Sequence, residues 1–207
     1  MPRPTESLYD AVVIGSSAGG IKALASILAA LPAEFPLPVI IAQHLHPDSG
    51  NHLPGIFNAK CELLVKQADE RERIQAGTVY LAPPAYHLLI EDDHSFSLSL
   101  EAPVNYSRPS IDVLFECAAR AYRGRLIGII LTGANHDGAA GLRRIKAAGG
   151  YAIVEDPRTA EVPTMPEAAL AATAVDKVLP VQEIGVYLLQ MLHRPERLRS
   201  PSLHRSR

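Results

Sequence analysis

Ala11-Val12-Val13-Ile14-Gly15-Ser16-Ser17-Ala18-Gly19-Gly20 is the stretch that decides the fold. A short apolar run, largely β-branched, enters a turn of small residues, and an Ala/Leu-rich segment over 20–31 then stops at Pro32. Val39-Ile40-Ile41-Ala42 is a second apolar run, and it ends in polar Gln43 and His44. Strand, turn, helix and strand at this spacing predict a βαβ unit. Runs that are apolar on both faces suit a parallel sheet covered by helices.

Further along, the same rhythm returns after an interruption. Ser110 can cap a helix reaching about residue 122, and 126–131 is a strand of nearly pure Leu and Ile. A helix over about 137–148 ends at Gly149-Gly150, and a strand follows over 151–154. Pro166 opens a helix to about residue 174, 177–179 is a short strand, and 181–192 is a closing helix. The middle holds short alternating segments at 61–65, 79–82, 87–90 and 95–100. Asp92-Asp93 reads as the turn of an antiparallel hairpin between the last two. The expected fold is a doubly wound, mostly parallel α/β sheet with an antiparallel hairpin insertion, Rossmann-like and three-layered. Such sheets place ligand sites at the carboxyl ends of their strands.

Composition narrows the function classes. The 207 residues are 47% hydrophobic and 20% charged, enough for a real core in one domain of somewhat more than the usual ~150 residues. A net charge of -2 argues against binding nucleic acid or inserting into an anionic membrane. Cys61 and Cys117 are the only cysteines, too few for a disulfide scaffold and without zinc-ligand spacing. Residues 1–8 are polar and make no signal peptide, and no apolar run approaches the ~18 residues of a membrane span. The expectation is a soluble cytoplasmic protein with no cofactor. Its domain covers 9–193, between a disordered 1–8 and a basic disordered tail, 194–207, with five arginines against Glu196.

Three strand-end loops carry unusual polar residues. Gly15-Ser16-Ser17-Ala18-Gly19 fits G-x-S-x-G, the sharp strand-to-helix turn that holds a serine hydroxyl exposed at a helix N-terminus suited to an oxyanion. A dinucleotide fingerprint fails because position 17 is Ser, and a P-loop fails because Gly20 is followed by Ile21-Lys22. A Gly-rich turn that only packs, or binds a stray anion, is the plain alternative. His44 leaves the second strand where a general base would sit, while His44-x-His46-x-Asp48 offers the rival reading of a metal-dependent hydrolase. The third loop, Leu131-Thr132-Gly133-Ala134-Asn135-His136-Asp137-Gly138, supplies a carboxylate that could orient the His44 ring, or merely cap the helix beginning near Gly138. Ser17, His44 and Asp137 would then be nucleophile, base and orienter. Their chain order, Ser-His-Asp, is not that of the α/β-hydrolases.

These loops, with Tyr80-Leu81-Ala82-Pro83 and Arg108-Pro109-Ser110-Ile111-Asp112-Val113-Leu114-Phe115, resemble the CheB-type chemotaxis methylesterases over nearly all of 10–192. The resemblance implies a serine hydrolase that removes methyl esters from glutamates of a methyl-accepting chemoreceptor-like protein, with glutamine deamidation as a second activity. It puts the nucleophile on Ser17, the base on His44 and the acid on Asp137. Oxyanion and substrate binding fall on Ala18, Ala134 and Arg108, with Ala18 and Ala134 standing where the family often has Thr and Met. A first strand near Ala11 leaves about ten preceding residues, against roughly 120 for the receiver domain usual in that family. The expectation is an open active site, indifferent to phosphodonors and controlled by a separate regulatory protein or by abundance. A catalytically inactive binding module is the non-enzymatic alternative.

Overall fold

The strands β1 (Ala11–Ser16), β2 (Val39–Gln43), β3 (Leu64–Gln67), β4 (Thr78–Leu81), β7 (Leu126–Ile130), β8 (Tyr151–Glu155) and β9 (Lys177–Leu179) form one seven-stranded sheet in the order β3-β4-β2-β1-β7-β8-β9. Every neighbouring pair in it is parallel. The computed structural model describes residues 7–45 and 52–192. β5 (His87–Ile90) and β6 (Phe96–Ser99) pair separately as the antiparallel hairpin.

Alternation along β1 explains the layers. Val12 and Ile14 face one side, where α1 (Gly20–Leu28), α2 (Leu53–Asn58) and α6 (Val181–Leu192) contribute Leu24, Phe57 and Ile184. Ala11 and Val13 face the other, against Leu114, Leu142 and Ala169 of α3 (Ile111–Tyr122), α4 (Ala139–Ala147) and α5 (Thr164–Ala172). Phe96 of the hairpin packs into this second layer, its ring 4.9 Å from that of Tyr80. Both faces of the central strands are therefore dry, as a parallel sheet requires.

The expected fold class is the observed one, with corrections at particular elements. Segments 64–67 and 78–81 are parallel strands of the main sheet, so the interruption shrinks to the hairpin alone. Their brevity hid them: with four residues each, they have little room to show a run apolar on both faces. The short helix α2 was not expected. α4 begins at Ala139, two residues after the expected start, because Asp137 is engaged elsewhere. Ser7, inside the expected disordered 1–8, is tied to the fold, its carbonyl accepting from Arg125 Nη2 at 2.9 Å. Residues 1–6 of that stretch and the expected tail, 194–207, lie outside the described residues. Among the described residues, no helix is long and apolar enough to cross a membrane.

Candidate active site

β2, β1 and β7 are consecutive neighbours, and the ladder between them runs on past the strand ends. His44 N donates to Ser16 O at 3.0 Å, Leu131 N to Gly15 O at 2.9 Å and Ser17 N to Thr132 O at 3.0 Å. These bonds hold three loops side by side where the chain reverses its direction of winding, with β2 on one side of β1 and β7 on the other. Here a doubly wound sheet opens its crevice. Thr132 adds its hydroxyl, which donates to Ala18 O at 2.9 Å.

The two serines of the first loop part company. Ser16 is fully buried and donates its hydroxyl to Gln43 Oε1 at 2.7 Å. Gln43 Nε2 in turn donates to Ser17 O and His44 O, each at 2.9 Å, so one amide staples the serine loop to the histidine loop. Ser17 is half-buried, and its hydroxyl bonds no other described residue. The N–H groups of Ala18 and Ala134, both exposed, likewise donate to no other described residue.

His44 and Asp137 meet directly, Nε2 to Oδ2 at 2.8 Å, with the carboxylate fully buried. The carboxylate fixes the tautomer: Nε2 carries the proton and donates it, leaving the Nδ1 lone pair as the basic site. Around Nδ1 lie Ser107 Oγ at 3.4 Å and Asn135 Nδ2 at 3.5 Å, contacts too long to hold it firmly.

Asp137 does not cap the helix that follows it. The N-cap of α4 is Gly138, with no side-chain cap, while Asp137 turns to the N-terminus of α3. Ile111 N donates to its Oδ2 at 2.6 Å and Asp112 N to its Oδ1 at 3.2 Å. Ser110 Oγ, at 2.9 Å, and Asn105 Nδ2, at 2.8 Å, complete the set on Oδ1. Burial by itself would push this carboxyl up, but the donors from His44, Asn105 and the α3 backbone outweigh it and hold Asp137 below the usual carboxylate range. Asp112, whose own N–H donates to Asp137, moves the opposite way: burial pushes it up, and the charge on Asp137 adds to that.

A cleft of about 210 Å³ opens beside His44, walled by Leu45, Ala85, Tyr106, Ser107 and Arg108 among others. Arg108 is turned to the cleft wall, its Nη1 donating to Leu100 O at 2.8 Å and Glu101 O at 3.0 Å. His136 and His52 are exposed. His46 and Asp48 lie outside the described residues. Among the described residues, no cluster of three His, Cys, Asp or Glu side chains could hold a metal ion.

Of the expected site residues, the structure joins His44 to Asp137 and sets Ser17, Ala18 and Ala134 on the flanking loops. Gln43, Asn105 and Ser110 were not expected to act there. Gln43 did carry a signal, a polar residue closing a buried strand. Asn105 carried none beyond its place in a turn.

Known proteins are similar to this chain in sequence and fold. The family model for CheB methylesterase matches residues 12–188. A Leptospira interrogans protein assigned as a protein-glutamate methylesterase/protein-glutamine glutaminase is 51% identical over 183 residues, 88% of this chain and 95% of that one. An Archaeoglobus fulgidus protein of the same name is 38% identical over 87% of this chain, which spans 53% of its length. The crystal structure of the Thermotoga maritima CheB methylesterase catalytic domain superposes with a TM-score of 0.85 at 35% identity, covering 88% of this chain and 98% of that one. Family model, sequence identity and superposed fold agree: this chain belongs to the CheB methylesterase family.

Proposed function

We propose that this protein hydrolyses glutamyl methyl esters on a methyl-accepting, chemoreceptor-like protein in the cytoplasm, using Ser17, His44 and Asp137. The observation that carries the reading is the 2.8 Å bond from His44 Nε2 to a buried, multiply bonded Asp137 on the loops flanking Ser17. Ser17 Oγ attacks the ester carbonyl while its proton passes to His44 Nδ1. The imidazolium that forms is stabilised through Nε2–H by the carboxylate. Charge gathering on the carbonyl oxygen is met by unengaged N–H groups at the start of α1, that of Ala18 foremost, with that of Ala134 across the crevice. Collapse of the tetrahedral intermediate breaks the C–O bond, and His44 returns the proton to leaving methanol. Water then attacks the acyl-serine with His44 again as base, freeing glutamate and Ser17. A glutamine side chain entering the same cycle would release ammonia, the second activity in the relatives' names.

The test is methanol release from a methylated receptor by the full chain and by Ser17→Ala. A loss of roughly 10⁴-fold or more is expected for the variant, since the members of such a unit act together. Activity should survive a chelator, and loss of activity in His46→Ala or on chelation would favour the metal-dependent reading instead.

A further inference from the structure

A second carboxylate lies beside the acid, and the catalytic cycle above gives it no part. Asp112 is 9% exposed, and its Oδ1 accepts from Gly141 N at 2.6 Å. Its Oδ2 accepts from Asn105 Nδ2 at 2.9 Å, the same nitrogen that donates to Asp137 Oδ1 at 2.8 Å. One amide thus directs both of its N–H bonds to two neighbouring buried acids. Carboxylates this close oppose each other's ionisation unless a donor stands between them.

We propose that Asn105 is a positioning residue for the reaction: its amide bridges Asp112 and Asp137 and keeps the charge of Asp137 directed at His44 Nε2. The proposal rests on the reading of Ser17, His44 and Asp137 as the reacting unit.

The backbone carrying Asn105 is shaped for this placement. Val104 and Ser107 exchange their backbone hydrogen bonds, at 3.2 and 2.9 Å, around a two-residue turn. Both central residues are left-handed, Asn105 at φ 51 and Tyr106 at φ 60, as in a type I′ turn. Asparagine accepts that conformation readily, whereas tyrosine is strained there. The turn sends the Asn105 amide inward to the two acids and leaves Tyr106 wholly exposed at the cleft rim. Its next residue, Ser107, reaches the other side of the imidazole, 3.4 Å from Nδ1. One turn therefore flanks His44 on both ring nitrogens, indirectly through Asp137 and directly through Ser107.

The titratable groups around the bridge come from every neighbouring element. They are Asp137 after β7, Asp112 on α3, His44 after β2, and His87 on β5, whose Nδ1 accepts from Ser110 N at 3.1 Å. Arg108 faces the carbonyls of Leu100 and Glu101.

Asn105→Gly and Asn105→Asp test the idea, because both residues tolerate the left-handed turn and neither supplies the amide. Each variant is checked for folding, then assayed from pH 5 to 9 on a small activated ester and on a methylated receptor. The expected result is a kcat lower by roughly tenfold to a hundredfold, the range for groups that orient a functional histidine, with KM within about twofold. The acid limb of the pH profile should move to lower pH in Asn105→Gly, where a less well directed Asp137 stabilises the imidazolium less, and to higher pH in Asn105→Asp, which adds a negative charge.

A second readout needs no activity. A carboxylate held below its unfolded value contributes stability above that value and loses it as pH falls through the lower folded one, so Asn105→Gly should show a smaller drop in Tm than wild type as pH is lowered from about 5 to below the ordinary carboxylate range. A folded Asn105→Gly with wild-type kcat and pH profile overturns the proposal. So does a uniform fall in Tm with an unmoved profile, which would make the amide merely structural. Ser17→Ala, run alongside, separates the failures: wild-type rates there would sink the reaction assignment, while the Tm comparison would still read the bridge.

Discussion

Gly19, at φ 79, and Gly138, at φ 94, each open a helix from a left-handed position without a side-chain cap, and each lies beyond one of two neighbouring parallel strands. The loops they close treat their key side chains in opposite ways. Ahead of Gly19, Ser17 is half-buried and its hydroxyl bonds no other described residue. Ahead of Gly138, Asp137 is fully buried under five donors. A group that must form and break a covalent bond needs freedom to meet a substrate. A charge that must hold an imidazole needs fixed donors, because burying it unpaired would cost several kcal/mol. The same backbone device serves both, and the surrounding elements make the difference.

The sharpest way to break this contrast is to remove each side chain. Ser17→Ala is expected to lose roughly 10⁴-fold or more in esterase rate, and Asp137→Ala about 10³-fold or more. Only Asp137→Ala should also lose stability, by about 3–5 kcal/mol, since it strands the donors of α3 and Asn105. Urea denaturation measures this, and an Asp137→Ala protein as stable as Ser17→Ala would erase the distinction.

The glycines come next. A Cβ on Gly138 would stand 2.5 Å from Ile130 Cδ1 and 2.6 Å from Ile111 Cγ2, inside the core. On Gly19 it would stand 2.9 Å from Glu161 Cβ, at a more exposed edge. Both substitutions carry the left-handed penalty of about 1–2 kcal/mol, and Gly138→Ala should add about 1–3 kcal/mol of overpacking. Equal losses for the two would refute the packing argument.

Ser16→Ala should be milder still, about 1–3 kcal/mol from an unpaired buried Gln43 oxygen, with activity within about tenfold of wild type. If it abolished activity while leaving stability intact, the nucleophile would have been assigned to the wrong serine. His136→Ala closes the series: an exposed imidazole beside the acid should cost less than about 0.5 kcal/mol and leave the rate within about twofold.

Much of this was legible in advance for a plain reason. β1, β2 and β7 are continuous apolar runs, and a run buried on both faces needs no partner to announce itself. The closing helix was legible too, its buried Val181, Ile184, Leu188 and Met191 recurring at helical spacing. β3 and β4 were read only as short alternating segments, because four-residue strands leave direction and sheet membership to their neighbours. Ser17, His44 and Asp137 could be picked out singly as polar residues beyond buried strands, and the resemblance named the same three.

What the sequence determined by itself was local and periodic: which runs must be buried, where the chain must turn, and which polar side chains would leave the strand ends. Only the tertiary structure decided what those side chains do there. Asp137 could have capped its own helix and instead serves the start of α3, brought against it by packing between α3 and α4. Asn105, in a loop with no motif, bridges two acids that are adjacent only after the sheet has closed. Hydrogen bonds between residues 26 to 93 positions apart, such as Gln43 to Ser17 and His44 to Asp137, have no sequence period to betray them. They follow from strand order, and strand order is fixed by how the whole chain buries its apolar faces.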